Sequence, residues 1–349
     1  MESRELPVDG WRKVVHFRDE DAGLNAIISV HDATLGPACG GCRIRPYESF
    51  AAALDDVKRL SRGMTFKNAL AGIPFGGGKA VIIADPKKDK TPAMFRAFGE
   101  ALNTLGGLYY TAEDSGITEH DLEIVREVSP YVGGICAGGI GGNPSPFTAR
   151  GVWRGIEAAV RHKVGRDSLA GVRVSVLGVG AVGMALAGHL HKAGAKLVVA
   201  DVNKEAVAAA VRDFGAVAVS PEDAVAADVG VFSPCALGGA ISGETIGRLK
   251  AKIVAGAANN QLATPDMDAA LKARGIIYAP DYVINAAGVI SCGLEILGTW
   301  TAEEMTRRID RIGPTLTRIF ESAAAENRPT GAIADELALE VIAKGKAAA

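Results

Sequence analysis

The sequence predicts an α/β protein in two domains, and three observations carry that expectation. The chain has 349 residues, and single hydrophobic cores stop growing beyond roughly 250–300 residues, so two cores are expected. From Gly171 onward, short apolar segments alternate with alanine-rich helical stretches, the pattern of a parallel sheet with crossover helices. Before that point apolar and polar segments are less regular, as in a mixed α/β domain.

In the first region, extended segments are expected at 13–17 and 24–31, followed by a helix running from Phe50 towards Arg62. Strands at 80–84 and 108–111 flank a helix at 94–105. The glycines and two prolines of 141–146 mark a hinge, because a residue before proline avoids the helical region. A helix over 148–164 then leads into six strands at 172–177, 197–200, 216–219, 229–232, 253–255 and 276–279, which suit a doubly wound dinucleotide fold. The tail from Ala302 is helical and charged, interrupted at Pro314 and near Pro329. The expected domains are 1–141, joined by a returning C-terminal helix at 327–349, and 142–326.

Composition narrows the function. Hydrophobic residues make up 48% and charged residues 22%, which excludes wholesale disorder. A net charge of −2 gives no electrostatic reason for a nucleic-acid or anionic-membrane partner. Glycine and charged residues interrupt every apolar stretch short of the roughly 18 residues that a membrane span needs, and the amino terminus lacks a signal peptide's apolar core. Five scattered cysteines suit a reducing compartment better than a disulfide framework, so a cytoplasmic protein is expected.

Gly178, Val179, Gly180, Ala181, Val182 and Gly183 supply a G-x-G-x-x-G run directly after an expected strand and before an expected helix. Gly178 permits a tight turn, Gly180 lets a pyrophosphate approach the backbone, and Gly183 lets the helix pack on the strand. Asp201 ends the next strand, where its carboxylate can accept ribose hydroxyls and repel a 2′-phosphate. That favours NAD over NADP. The alternative is a glycine turn with an unrelated surface aspartate.

The cluster Gly72 to Lys79 superficially resembles a phosphate loop, but its glycine spacing is wrong and Ala80 replaces the magnesium-binding hydroxyl. What remains is a lysine delivered by a flexible glycine turn at the start of an apolar strand. Shielded from water and near other cations, such a lysine gives up its proton readily and serves as a base. With Lys67 at the end of a helix and Asp114 in a turn, it makes a site for an α-amino acid: one lysine pairs with the carboxylate, and the other two groups manage protons. Solvated lysines and a turn-capping aspartate are the plainer alternatives. Cys39 and Cys42 form C-x-x-C, but no second such pair supplies further zinc ligands, and His189 and His191 lie on different helix faces. Packed or pocket-lining thiols are expected, and no metal.

Together these stretches resemble the Glu/Leu/Phe/Val dehydrogenase family over almost the whole chain. The matching runs are Thr34 to Arg43, Arg62 to Lys67, Gly76 to Lys79, Thr111 to Asp114, Gly142 to Thr148, Ala255 to Gln261 and Tyr278 to Asn285. Within the family, the leucine-specific branch is the most similar. The resemblance implies a substrate-binding and oligomerisation domain followed by a Rossmann-type NAD-binding domain. It implies reversible oxidative deamination of an L-amino acid to a 2-oxo acid and ammonium, in a homo-oligomer of two to eight subunits. Lys67 would bind the substrate carboxylate, Lys79 would activate water, and Asp114 would exchange protons with the amino group. Gly40 and Gly41 would border the substrate. Asn259 would hold substrate and nicotinamide ribose, Thr148 and Asn285 would contact the nicotinamide, and Cys235 and Ala236 would lie beside the adenosine.

Substrate choice follows from the same resemblance. Glutamate-specific members place a lysine at Cys39 and a serine at Cys292, and an unpaired buried carboxylate loses several kcal/mol, so glutamate is disfavoured. Ala112 matches the leucine type, whereas members preferring phenylalanine or tryptophan tend to have glycine there. Cys39, Ala112, Val289 and Cys292 would form a medium-sized apolar pocket for leucine, valine or isoleucine. Three departures bear on the preferred side chain: Cys39 itself, Ala287, and the segment from Gly293 to Gly298. The alternatives are a phenylalanine or tryptophan dehydrogenase and a non-catalytic NAD sensor.

Overall fold

The computed structural model describes residues 1–135, 144–236 and 238–348. The first half of the expected hinge, residues 141–143, and Cys136 lie outside them. The chain forms two compact units: one comprises Met1–Gly142, Val289–Glu304 and Ala338–Ala349, the other Asn143–Gly288 and Met305–Leu337. Residues 289–304 therefore join the first unit rather than the second, and the returning C-terminal segment begins at Ala338 rather than 327.

The first unit opens with β1 (Glu2–Glu5), β2 (Lys13–Asp19), β3 (Leu24–Asp32), β4 (Ala38–Cys39) and β5 (Cys42–Arg45). Then come α1 (Phe50–Ala71), β6 (Gly76–Ile83), α2 (Pro92–Thr104), β7 (Tyr109–Tyr110) and α3 (Glu119–Arg126). The sheet order is β1-β2-β3-β6-β4-β7, with β5 also paired to β6. Antiparallel pairing links β1 to β2, β2 to β3 and β3 to β6, whereas β4 and β5 run parallel to β6.

Strand alternation gives this sheet two buried faces. Ile28, Ala80 and Ile82 share a core with Phe95, Phe98 and Leu102 of α2, and Ile27 and Val81 pack with Ala53 and Val57 of α1. Two residues from Val81, Lys79 is directed to the α1 face. Helix α1 runs nine residues past Arg62: Gly63 stays helical within it, and Gly72 caps it at φ +66°.

The glycines before Lys79 are strand residues and not the flexible turn read from composition. They are small because neighbours press on them: a Cβ on Gly77 would lie 2.1 Å from the Thr65 backbone nitrogen, and one on Gly76 2.1 Å from the Asp32 carbonyl. The short strands β1, β4 and β5 were not expected, since two to four residues carry little periodicity.

The second unit contains α4 (Ser145–Val164), β8 (Arg173–Leu177), α5 (Ala181–Lys192), β9 (Lys196–Ala200), α6 (Lys204–Phe214), β10 (Val217–Ala218), α7 (Pro221–Ala226) and β11 (Val231–Pro234). β12 (Ile253–Val254), α8 (Asp266–Ala273), β13 (Ile277–Tyr278) and α9 (Asp281–Ile284) follow. All six strands run parallel in the order β10-β9-β8-β11-β12-β13, winding outward from β8 in both directions as a Rossmann sheet does. Four further helices complete the chain: α10 (Ala287–Ile296), α11 (Ala302–Ile309), α12 (Ile312–Glu326) and α13 (Thr330–Ala348). The tail is interrupted close to both prolines, between α11 and α12 just before Pro314 and between α12 and α13 at Pro329. Pro314 itself opens a helix. It sits in the first turn of α12, where its missing N–H would have had no intrahelical partner.

Candidate active site

In the first unit, β5, β6 and the loop after β7 bring two cationic side chains to one carboxylate oxygen. Lys79 Nζ lies 2.6 Å from Asp114 Oδ2, and Arg43 Nε donates to the same oxygen at 3.2 Å. Lys79 is only 6% exposed. Burial alone would raise the Asp114 carboxyl, but Lys79 and Arg43 outweigh it and hold it below the usual aspartate range. Lys79 was expected among cations, whereas a carboxylate stands directly on it.

Arg43 reaches further, donating from Nη1 to Asp56 Oδ2 at 3.1 Å, and Asp56 also accepts from Tyr47 Oη at 2.8 Å and from Arg59 at 2.6 Å. Sequence reasoning passed over Arg43, although it ends the quoted run from Thr34. Asp56 and Tyr47 gave no signal, because only the packing of α1 on the sheet brings them to it.

Lys67 stands in the last turns of α1, half-buried. Its neighbours hold that part of the helix to the sheet: Asn68 donates to the Cys39 and Gly76 carbonyls at 3.0 and 2.7 Å. Gly40 and Gly41 link β4 to β5. A Cβ on Gly40 would lie 2.0 Å from the Gly78 carbonyl, and one on Gly41 2.9 Å from Asp114 Cβ. Tyr109, fully buried, donates to the Gly40 carbonyl at 2.6 Å and so fixes this turn.

An apolar wall adjoins these groups. Cys39 and Cys292 bring their sulfurs to 3.9 Å, and Val289 lies one helical turn before Cys292 on α10. A Cβ on Gly133 would lie 2.7 Å from Cys292 Sγ and 2.9 Å from Ile296, while one on Gly134 would come within 3.7 Å of Ala112 Cβ. The Glu295 carboxylate accepts from the amides of Gly134 and Ile135 at 2.8 and 3.1 Å, tying α10 to this loop. Burial pushes its carboxyl upward despite those bonds. Gly133 went unnoticed in sequence, lying outside every quoted run, and Glu295 was passed over individually although it falls within the 293–298 segment that departs from the leucine type. The C-x-x-C pair diverges, with Cys42 buried away from Cys39's partner and its thiol pushed up by burial. Among the described residues, no group of three or more metal-ligating side chains occurs.

The second unit carries its own constellation. Gly178 adopts φ +100°, where only glycine is comfortable, and a Cβ on Gly183 would lie 1.9 Å from the Gly178 carbonyl. Over Gly180 nothing lies within 4 Å of a built Cβ, and as N-cap of α5 it offers no side-chain acceptor to the helix. Ala181 and Val182 begin that helix, so free amides and an open space face the same way, as an anionic phosphate requires. Asp201 accepts from the Val179 amide at 2.7 Å and from Asn203 at 2.9 Å, so its carboxylate is fixed beside the loop. Cys235 and Ala236 border it as well, the Ala236 nitrogen lying 2.7 Å from a Cβ on Gly178. Asn285 donates to Asn259 Oδ1 at 2.8 Å, which joins two expected residues. Thr148 lies in the first turn of α4, half-buried. These residues fit a dinucleotide: Gly178, Gly180 and Gly183 would receive its pyrophosphate and Asp201 its ribose.

A parallel sheet with an open glycine loop in one unit, and a buried lysine–aspartate pair beside an apolar wall in the other, define a nicotinamide-dependent dehydrogenase. The profile of the Glu/Leu/Phe/Val dehydrogenase dimerisation domain matches residues 12–131, and that of Glutamate/Leucine/Phenylalanine/Valine dehydrogenase matches residues 200–347. Leucine dehydrogenase of Geobacillus stearothermophilus is 50% identical over 333 residues, 95% of this chain and 90% of that protein. Phenylalanine dehydrogenase of Bacillus thermotolerans is 42% identical, covering 96% of this chain and 89% of its own. The crystal structure of L-tryptophan dehydrogenase from Nostoc punctiforme superposes with a TM-score of 0.87 at 41% identity, over 97% of both chains. The chain belongs to the Glu/Leu/Phe/Val dehydrogenase family and is an amino-acid dehydrogenase.

Proposed function

We propose that the protein catalyses reversible, NAD-dependent oxidative deamination of aliphatic L-amino acids, with leucine, valine and isoleucine as substrates. The observation that carries the substrate class is the wall of Cys39, Ala112 and Cys292, which offers no cation to a side-chain carboxylate and has the Glu295 carboxylate bound to the adjoining loop. A glutamate side chain there would find no free cation, because Arg126, 3.8 Å from the Glu295 carboxylate, is already paired with it. An aromatic ring finds no extra room at Gly133 either, because Cys292 and Ile296 fill the space that its missing side chain leaves.

In this reading Lys67 holds the α-carboxylate. Asp114 takes a proton from the substrate ammonium, and Lys79 accepts a proton from the water that adds to the iminium carbon. Asp114 then returns a proton to the departing ammonia. Bound NAD supplies the acceptor for the Cα hydride. Gly178, Gly180, Ala181, Val182 and Gly183 hold the pyrophosphate, Asp201 the ribose, Cys235 and Ala236 the adenosine, and Thr148, Asn259 and Asn285 the nicotinamide end. We further infer a cytoplasmic enzyme that assembles with copies of itself; among the described residues no helix is long and apolar enough to cross a membrane.

A spectrophotometric screen of amino acids with NAD and NADP tests all of this. Expected are NADH formation with the three branched substrates, little with glutamate, and a preference for NAD that Asp201→Ser relaxes. Preferred turnover of glutamate or phenylalanine would overturn the pocket assignment, and equal use of NADP would overturn the role of Asp201.

A further inference from the structure

We propose that Arg43 is a positioning residue for this reaction: its guanidinium, spanning Asp114 and Asp56, aims the Asp114 carboxylate at Lys79 and shares that carboxylate's charge with it. The inference rests on the reading of Lys79 as the base.

The geometry begins with the strands. Arg43 on β5 is in register with Val81 of β6, two residues from Lys79, so both side chains rise from one sheet face. They converge on one oxygen, Asp114 Oδ2, at 3.2 and 2.6 Å. A carboxylate opposed by one lysine alone would hold that lysine as ammonium, which cannot take a proton from water. A second cation on the same oxygen weakens the hold and repels the ammonium directly. Arginine suits the task because its planar fork stays charged and bonds two partners at once, whereas a lysine reaches only one.

The outer end of the fork is anchored. Asp56 receives Arg43, Tyr47 and Arg59 together, and this network holds it below the ordinary aspartate range against its burial. Arg43 and Asp56 side chains are 14% and 13% exposed, so solvent screens their contact only partly. The other titratable groups around the pair are Glu113 in the same loop, Asp121 of α3 with its partner Lys90, the neutral Cys42 thiol, and Asp56 on α1. Glu113 and Asp121 are anions, so their presence makes the cation at position 43 more necessary.

The test is the pH dependence of kcat/KM for leucine deamination in Arg43→Gln, Arg43→Lys and Asp56→Asn, with NADH binding followed by fluorescence. In Arg43→Gln the ascending limb should move to higher pH by about one unit, which lowers kcat/KM about tenfold on that limb. NADH affinity should stay unchanged. Arg43→Lys should restore most of the position of the limb. Asp56→Asn removes the outer anchor but keeps the cation, so it should not move the limb upward. An unmoved limb in Arg43→Gln, or an equal upward movement in Asp56→Asn, overturns the proposal. Lys79→Ala tests the underlying reading separately: near-normal kcat there removes both, whereas a crippled Lys79→Ala with an unmoved Arg43→Gln limb removes the role of Arg43 alone.

Discussion

The two units build their sites in opposite ways. In the second, the glycine loop, the start of α5 and Asp201 fall within a single β-α-β stretch from β8 to the end of β9. In the first, the groups that meet come from positions 39, 43, 56, 79, 112, 114, 133 and 292, gathered by sheet register and by a helix from the far end of the chain. Glycine runs show the same contrast. Gly76 and Gly77 are pressed against backbone, whereas Gly180 faces open space. A run of glycines can therefore serve packing or leave room for a ligand, and the neighbours decide which.

Asp114→Asn should separate the units most sharply. It leaves Lys79 and Arg43 facing a neutral amide, so kcat should fall by about 10²–10⁴, while NADH affinity measured by fluorescence titration stays at the parent value. Loss of NADH binding in this variant would mean that the two constellations are not independent.

Next in size is the glycine pair. Gly77→Ala places a methyl 2.1 Å from the Thr65 nitrogen and should cost about 1–3 kcal/mol, seen as a lowered midpoint of thermal unfolding. Gly180→Ala should leave that midpoint unchanged, because its φ of −68° suits alanine and nothing is near, yet it should weaken NADH binding. Equal loss of stability in both variants would erase the distinction.

A more moderate change is expected from Cys39→Lys combined with Cys292→Ser, which gives the wall a cation and a hydroxyl. Relative kcat/KM for glutamate over leucine should rise, measured by competition between the two amino acids. Adding Glu295→Gln should increase that ratio further by removing the opposing anion.

The smallest effect concerns acid stability of the second unit. Burial lowers His189, and the cations Arg150, Lys192 and Arg154 push it the same way, while its ring stacks on Trp153. A histidine held below its ordinary 6.5 contributes stability above that pH and loses it as pH falls towards the folded value. The midpoint of thermal unfolding should therefore fall as pH drops below about 6.5, and it should fall less in His189→Gln. An identical pH response in the variant would remove His189 as the source.

What could be read from sequence follows the same division. The six parallel strands were each located to within a few residues; five of them are largely buried and form apolar runs between glycine and charged breaks, whereas β10 at the sheet edge is exposed. β4 and β5 escaped, since strands of two and four residues have no period to detect. Lys79 was singled out as a buried lysine sharing a site with Asp114, but their direct pairing was not read, because the approach of Asp114 depends on β7 lying beside β4.

The sequence by itself determined the elements, the dinucleotide loop and the identities of the lysines and aspartate, because local periodicity and turn chemistry act between residues close in the chain. Only the tertiary structure decided that Arg43 shares the Asp114 oxygen with Lys79 and that Asp56 anchors it. Such meetings are set by strand register and side-chain alternation, where a shift of one residue would turn Arg43 and Lys79 to opposite faces. No pattern along the chain records that choice; it is made when the sheet pairs and α1 packs against it.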